Sequence, residues 1–180
     1  MKKANVFIIL CFIIILSGCQ LTNPFDQYYR LALQAIANGV DEAALDYAEK
    51  LSEWVTTPDQ RAISCMINGY AYFIAENYNM ALLEFDSSDD ISQTSESIAG
   101  LIMTYFMVEQ FELINFQLDQ LSAFHENWAM KVNNQELSKT GLYTICALSS
   151  AIQNDKDIFD SIKSKISHEK AQEMEAFFFD

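Results

Sequence analysis

The stretch AISCMINGYAYFIAENYNMALLEFDSS, residues 62–88, decides the fold that the sequence predicts. It predicts two helices that fold back on each other at Glu76-Asn77. Where two antiparallel helices cross closely, one side chain at the contact must be small, and Gly69 and Ala81 are the candidates. The surrounding space would be filled by three aromatic side chains, those of Tyr72, Tyr78 and Phe85.

One such hairpin cannot bury both of its apolar faces, so neighbouring hairpins are expected on either side. The order Gly69, Tyr72, Ala81 and Phe85 resembles the tetratricopeptide repeat, which carries a small residue and an aromatic on its first helix and Ala-x3-Phe on its second. The resemblance implies an all-α fold, a right-handed superhelix of about four antiparallel helical hairpins with a C-terminal capping helix. Three positions depart from the family pattern: Cys65 replaces the early Trp, Asn68 the Leu, and Gln93 the terminal Pro.

Breaks between helices recur along the chain at nearly the repeat length. They lie at Gly39, Asn77 and Gln110, 38 and 33 residues apart, close to the family's roughly 34 residues. A fourth break lies at Asn154-Asp155, and residues 126–139 before it are interpreted as an insertion or an extended helix end capped at Asn134. No strand pattern is predicted. The repeat domain, residues 26–180, is expected to hold helices over 26–37, 93–108, 111–124, 140–153, 156–166 and 168–179, and another that Asp41 caps.

The first eighteen residues predict a secretory signal peptide. Lys2-Lys3 precede eleven apolar residues from Val6 to Leu16, too few for a membrane span of about 20 residues. The ending Leu-Ser-Gly-Cys resembles the bacterial lipobox, which implies cleavage before Cys19, acylation of that residue and a short tether over residues 19–25. Gln20 implies sorting to the periplasmic face of the outer membrane of a Gram-negative bacterium. The alternative is an ordinary signal peptide with a coincidental cysteine.

The charge of the chain restricts its partners. The net charge is −14, and without Lys2 and Lys3 nine basic residues face 25 acidic ones. Such a surface repels nucleic acid and anionic lipid headgroups, so nucleic acid is excluded as a partner and a basic protein surface is favoured. Two cysteines, Cys65 and Cys146, remain in an oxidising compartment, and their separation by two hairpins favours free buried thiols over a disulfide.

The first helix of the central hairpin carries an excess of apolar residues. In the tetratricopeptide family, first-helix side chains line a concave groove. Carried onto this chain, those positions are the candidate partner-binding residues Ile63, Met66, Tyr70, Phe73 and Ile74. A helix that is apolar on every side must be covered. The cover is either a segment of another protein or this protein's own last helix, whose Phe177, Phe178 and Phe179 need burial.

No catalytic or metal-binding motif is present in the sequence. Neither His125 nor His168 has a second ligand at zinc spacing, and His125 is interpreted as a helix-dipole partner. The acidic run over residues 86–90 lacks the Gly and Glu of a calcium loop, so a solvated loop between repeats is expected there. We therefore expect no enzyme activity, no cofactor, no metal and no small-molecule substrate.

Three functional hypotheses follow from these observations. The first is a lipid-anchored adaptor or scaffold that binds a protein in the cell envelope and assists a pilus, secretion or outer-membrane assembly complex. The second is an inhibitor or immunity-type lipoprotein that neutralises a basic protein through its acidic surface. The third is a small envelope hydrolase, which needs two carboxylates facing each other in a cleft.

Overall fold

The computed structural model describes residues 23–179, and within them the chain is mostly helical, with ten α-helices, one short 3-10 helix and a single β-hairpin. The predicted signal peptide and Cys19 lie outside the described residues. The elements are α1 (Pro24–Ala37), α2 (Asp41–Ser52), α3 (Pro58–Ile74), α4 (Tyr78–Ile91), α5 (Ser95–Met107), α6 (Phe111–Asn115), α7 (Leu118–Ser122), β1 (Ala129–Val132), β2 (Gln135–Ser138), α8 (Lys139–Ile152), α9 (Lys156–Ile162), the 3-10 helix (Lys163–Lys165) and α10 (His168–Phe178). None of these helices is long and apolar enough to cross a membrane.

The four predicted breaks are confirmed, and they share one backbone geometry. Each has a residue with positive φ directly after the helix C-cap: Gly39 at 65°, Glu76 at 59°, Glu109 at 59° and Asn154 at 56°. The next residue donates its backbone N–H to a carbonyl five residues earlier, as from Asn77 to Tyr72 at 2.9 Å and from Gln110 to Tyr105 at 2.9 Å. This arrangement satisfies carbonyls that a helix end leaves free, and it ends each helix in the same way.

Side-chain caps begin most of the helices. Thr57 accepts a hydrogen bond from the Gln60 N–H at 3.2 Å, confirming the predicted restart before the central hairpin. Ser167 caps α10 in the same way, again as predicted. The predicted Asp41 cap is wrong, because Asp41 is the first residue of α2 and Val40 occupies the cap position without a side-chain bond. The first helix begins at Pro24 rather than residue 26, and Phe25 is buried, so the predicted tether is shorter than expected.

From α1 to α6 each helix packs against the next, and across the stack α1 touches α3 and α3 touches α5. The contact between α3, α4 and α5 is the tightest. Phe85 on α4 is fully buried, and an ideal Cβ on Gly69 of α3 would lie 2.7 Å from its ring. A Cβ on Gly100 of α5 would overlap the same ring. Phe85 therefore fills a slot between two glycines, which a side chain at either position would close.

Two hydrophobic cores result, and α5 belongs to both. The first joins α1 to α4 and includes Leu101 of α5, whereas the second joins α6 to α10 and includes Ile98 and Ile102 of the same helix. The last helix packs on α8 and on the 3-10 helix. Phe178 and Phe179 contact the second core, while Phe177 is 81% exposed.

The acidic run over residues 86–90 is helical, so the predicted solvated loop is wrong. Helix α4 continues to Ile91 because Phe85 and Ser88 both face inward, and the Ser88 hydroxyl donates to the Ala62 carbonyl at 2.9 Å. The next helix is capped by Thr94 instead, whose hydroxyl accepts from the Ser97 N–H at 3.1 Å.

The predicted helix over residues 111–124 is two short helices, α6 and α7. The chain bends at Gln117, which donates its N–H to the Ile114 carbonyl at 2.9 Å, three residues back. The bend allows both Ile114 and Leu121 to be fully buried, although Phe116 is left 74% exposed.

Residues 129–138 form a β-hairpin, so the predictions of no strand and of a helix cap at Asn134 are wrong. Asn133 and Asn134 have φ of 49° and 62°, the two positive values of a tight two-residue hairpin turn. Val132 is buried and Met130 is partly buried in the first core, which fixes which face of the hairpin points inward.

Candidate functional site

The candidate site is the face of α3 that carries the five predicted partner-binding residues. Tyr70 is fully buried, its ring packs edge-on against Phe85 at 4.8 Å, and its hydroxyl donates to the Glu96 carbonyl at 2.7 Å. Burial holds the pKa of the Tyr70 hydroxyl well above its usual range. Met66 is 6% exposed, so these two residues are core. A partner could reach neither unless the fold opened.

The other three predicted residues lie at the margin of the first core. Ile63, Phe73 and Ile74 are partly buried and pack against it. Phe73 also packs edge-on against Tyr78 at 5.6 Å, beside the Glu76-Asn77 break. The accessible part of the predicted surface is therefore Ile63 near the start of α3 and the pair Phe73 and Ile74 at its C-terminal end.

The predicted repeat-packing residues occupy the contact between α3 and α4. Gly69, Ala81 and Phe85 are buried together, as the small and large partners of one helix crossing. Tyr72 and Tyr78 are only partly buried.

The β-hairpin covers this face, and the last helix does not. Its tip is held by the C-terminal end of α1: the backbone N–H groups of Asn133 and Asn134 donate to the carbonyls of Ile36 at 2.9 Å and Ala37 at 2.8 Å. The Asn134 side chain donates to the Asn38 carbonyl at 2.9 Å. These carbonyls lie at the C-terminal end of α1, where the regular helical N–H donors run out.

The base of the hairpin is held at the other end of the face. The Trp128 indole N–H donates to the Glu96 carboxylate at 3.2 Å, and its ring packs against Phe124 at 5.1 Å. The hairpin therefore runs from the start of α5 to the end of α1, and its Met130 and Val132 pack into the first core between these two attachments.

A groove remains open beside strand β2. We call it the hairpin groove; it has a volume of about 340 Å³. Its apolar lining comes from the C-terminal ends of α3 and α5, the start of α4 and both strands: Phe73, Ile74, Tyr78, Met103, Met107, Val132 and Leu137. Met107 is 48% exposed, and the lining also includes two exposed acidic residues, Glu76 and Glu136. The lining contains both apolar contact area and negative charge.

A buried lysine holds the segment that precedes the hairpin. Lys139 is 6% exposed, and its ammonium donates to the carbonyls of Phe124 at 2.7 Å and Ser122 at 3.3 Å and to Glu126 at 2.9 Å. The hydrogen bond from Lys139 lowers the pKa of the Glu126 carboxyl. All three donors of the ammonium are used, so Lys139 is a structural tie that fixes α7 and the hairpin to α8. Sequence reasoning gave no sign of it, since its partners are mostly backbone carbonyls.

The remaining polar groups of interest lie on the outer side of α3 and α4. A broad cleft there, of about 780 Å³, is lined by residues that include Arg61, Cys65, Glu84 and Asp90. Burial raises the pKa of the Cys65 thiol, and the adjoining Glu84 carboxylate raises it further. A thiol held in its protonated form is a poor nucleophile. Cys65 and Cys146 are both free, as predicted, but only Cys146 is buried as expected, whereas Cys65 is partly exposed.

His125 lies in the loop after α7, where its Nδ1 accepts from the Asn127 N–H at 3.2 Å. Across residues 23–179, no three His, Cys, Asp or Glu side chains converge as a metal site would require. Comparisons of the chain with protein families, with curated proteins and with solved structures found no match.

Proposed function

We propose that this protein is a lipid-anchored adaptor of tetratricopeptide-like architecture, which binds another protein in the bacterial cell envelope. The observation that supports it best is the repetition of one helical break at Gly39, Glu76, Glu109 and Asn154. Each of these turns joins the two helices of one pair, so the same helical hairpin recurs along the chain, and stacked hairpins of this kind form the extended surfaces with which repeat proteins bind other proteins.

Anchoring is proposed from the sequence around Cys19. Acylation there would place the helical domain close to a membrane, because the four residues between Cys19 and the start of α1 at Pro24 extend only about 14 Å. At the periplasmic face of the outer membrane, the protein would help assemble or stabilise a pilus, secretion or outer-membrane assembly complex. Its mechanism would be binding alone, with no catalytic step and no cofactor.

Site-specific crosslinking tests the adaptor proposal. A photoreactive residue replacing Met107, in the hairpin groove, should give one saturable adduct with an envelope protein. The same residue replacing Leu83, which is 61% exposed on α4 outside that groove, is the matched control and should give no such adduct. Equal adducts at the two positions, or none at either, would contradict the proposal.

Replacement of Cys19 by serine tests the anchor. The wild-type protein should incorporate a labelled fatty acid and sediment with membranes, and the Cys19→Ser protein should do neither. A variant that still sediments with membranes would show that the attachment does not depend on acylation.

The acidic surface favours a second candidate function, inhibition of a basic protein. Asp86, Asp89 and Asp90 lie together on the last turns of α4, and desolvation, with Asp90 and Asp89, raises the pKa of the Asp86 carboxyl. A basic partner docked there would offset the repulsion that the Asp90 and Asp89 carboxylates exert on Asp86. Its binding should weaken steeply as salt rises, whereas binding in the hairpin groove should change much less.

A further inference from the structure

Strand β2 has an edge that makes no backbone ladder within the described residues. The two strands pair in the register Val132↔Gln135, Lys131↔Glu136 and Met130↔Leu137. In a hairpin closed by a two-residue turn, the pair next to the turn exchanges both hydrogen bonds and the following pair exchanges none. The N–H and C=O of Glu136 therefore point away from β1, and neither takes part in a backbone hydrogen bond to another described element.

The two edges of the hairpin differ in their surroundings. Strand β1 lies on the side of α1, to which the hairpin tip is bonded. The hairpin groove is lined by three residues of β2, Gln135, Glu136 and Leu137, but by only Val132 of β1. The open edge is therefore the one that borders the groove.

The apolar lining of the groove beside this edge, which we call its floor, suits a strand whose apolar side chains alternate. Met103 and Met107 supply flexible, polarizable contact area that adapts to different shapes. Phe73 and Tyr78, whose rings pack against each other, supply rigid aromatic area. In an added strand, every second side chain would point down to this floor and the others would point to solvent.

The charge around the groove selects among possible added strands. Its lining carries two carboxylates, on Glu76 and Glu136, and no Lys or Arg. A second copy of this chain pairing edge to edge would bring one Glu136 close to another, within a pair of chains that each carry a net charge of −14. Like charges facing each other across strands are destabilising, so a self-paired edge is disfavoured.

We propose that β2 accepts an extended segment of the partner protein as a third strand, with apolar residues at alternate positions and Lys or Arg between them. This inference rests on the proposed adaptor function and names the chemistry of the segment that the adaptor binds. Main-chain hydrogen bonds to Glu136 set the register, the methionine floor supplies apolar contact, and Glu76 and Glu136 favour the basic side chains.

A defined peptide tests the proposal on the lipid-anchored protein in detergent. The probe is a fluorescent octapeptide that alternates valine and lysine, measured by anisotropy. Its binding should be at least about tenfold tighter than that of a valine–glutamate octapeptide, because only the first complements the two carboxylates. The Glu136 amide should exchange its hydrogen at least about tenfold more slowly in the complex, as expected for an amide that gains a partner.

Two substitutions separate the edge from the floor. Glu136→Pro removes the outward N–H without removing a bond to β1, and Glu136→Gln is its matched control that keeps the N–H. We expect Glu136→Pro to weaken the peptide about tenfold more than Glu136→Gln does. The Asn133 amide, bonded to Ile36, reports whether the hairpin stays docked.

Met107→Lys should weaken binding of the peptide by a similar factor, because it places a charge in the floor of the groove. Leu83→Lys, the same change at an exposed position outside the groove, should leave the affinity unchanged.

The outcomes distinguish this inference from the proposed function. If the peptide does not bind at millimolar concentration, or if Met107→Lys leaves its affinity unchanged, the strand edge is not the site. The same holds if the Glu136 amide is not protected in the complex. The Met107 crosslink would then still report whether an envelope partner exists, so the adaptor proposal would stand or fall separately.

Discussion

The slot that holds Phe85 makes a prediction at the scale of single residues. Gly100→Ala adds a methyl group where the fully buried Phe85 ring lies, so the ring would have to shift. Overpacking of this kind costs about 1–3 kcal/mol, and the better helix propensity of alanine offsets up to about 1 kcal/mol of that cost. We expect a net loss in the free energy of unfolding, measured by urea denaturation.

Gly141→Ala is the matched control for that change. Gly141 also lies in a helix, but an added Cβ would only reach the Ser138 hydroxyl at 3.4 Å. We expect it to be neutral or to stabilise by up to about 1 kcal/mol. The double variant Gly100→Ala with Phe85→Leu should recover part of the loss. If the losses in unfolding free energy of the two single variants simply add in the double variant, the Phe85 ring is not what the added methyl group meets.

The Cys146 thiol predicts how stability depends on alkaline pH. Burial raises its pKa from the ordinary 9.0 to about 12, so the folded state holds this proton after the unfolded state has released it. The stabilisation is complete below pH 9 and is lost between pH 9 and pH 12, by about 1.4 kcal/mol per pH unit. Cys146→Ala lacks this contribution, so its free energy of unfolding should fall less steeply over that range. Parallel curves for the two proteins would show that the thiol ionises without unfolding.

At the scale of elements, the C-terminal end of α4 is electrostatically unfavourable. It carries Asp86, Asp89 and Asp90 and no basic residue in its last turn. Negative charge at a helix C-terminus opposes the helix dipole, so Asp90→Asn should stabilise the protein by about 0.3–1 kcal/mol at low salt. It should also lower the pKa of Asp86, measured by carboxyl NMR titration, because Asp90 is one cause of its increase.

Asp26→Asn, in the first turn of α1, is the control for Asp90→Asn. There the same charge faces the positive end of a helix, so its loss should destabilise by a similar amount. Both effects should shrink at 1 M salt. A stabilising effect at both positions would mean that net charge, and not the helix dipole, sets the outcome.

The helical breaks could be predicted from the sequence because their causes are local. Gly39 and Asn154 tolerate positive φ, and Asn77 and Asp155 cap the helix that follows. The helical character and the crossing of Gly69 with Phe85 followed from the same short-range pattern.

The β-hairpin could not be predicted in this way, because its partner is distant. The Asn134 side chain binds a carbonyl 96 residues earlier, and Val132 is buried against the first core. The alternation of Trp128, Met130 and Val132 before Asn133-Asn134 was the available signal, although Asn-Asn is a weaker turn sequence than Asn-Gly. Missing the hairpin also meant missing the groove, since five of its eleven lining residues lie between positions 132 and 137.

At the scale of the whole molecule, the two cores predict how the protein opens. They share α5 and are bridged by the β-hairpin, whose Met130 contacts the first core and whose Leu137 contacts the second. Helices α6, α7 and α9 of the second core have only five to seven residues. Short helices depend on tertiary packing, so the second core should open at lower free energy than the first.

Native-state hydrogen exchange measures this difference. Phe159→Ala, a fully buried ring in the second core, should cost about 3–5 kcal/mol and should speed exchange in α8 and α9 while leaving α2 and α3 nearly unchanged. Ile67→Ala changes a fully buried side chain in the first core and should speed exchange in α2 and α3. Because α5 contributes to both cores, the same variant should also speed exchange in α8 and α9. This asymmetry is expected because the second core packs on α5, whose other face is held by the first. If Phe159→Ala speeds exchange equally in every helix, the two cores unfold as one unit and the proposed order of opening is wrong.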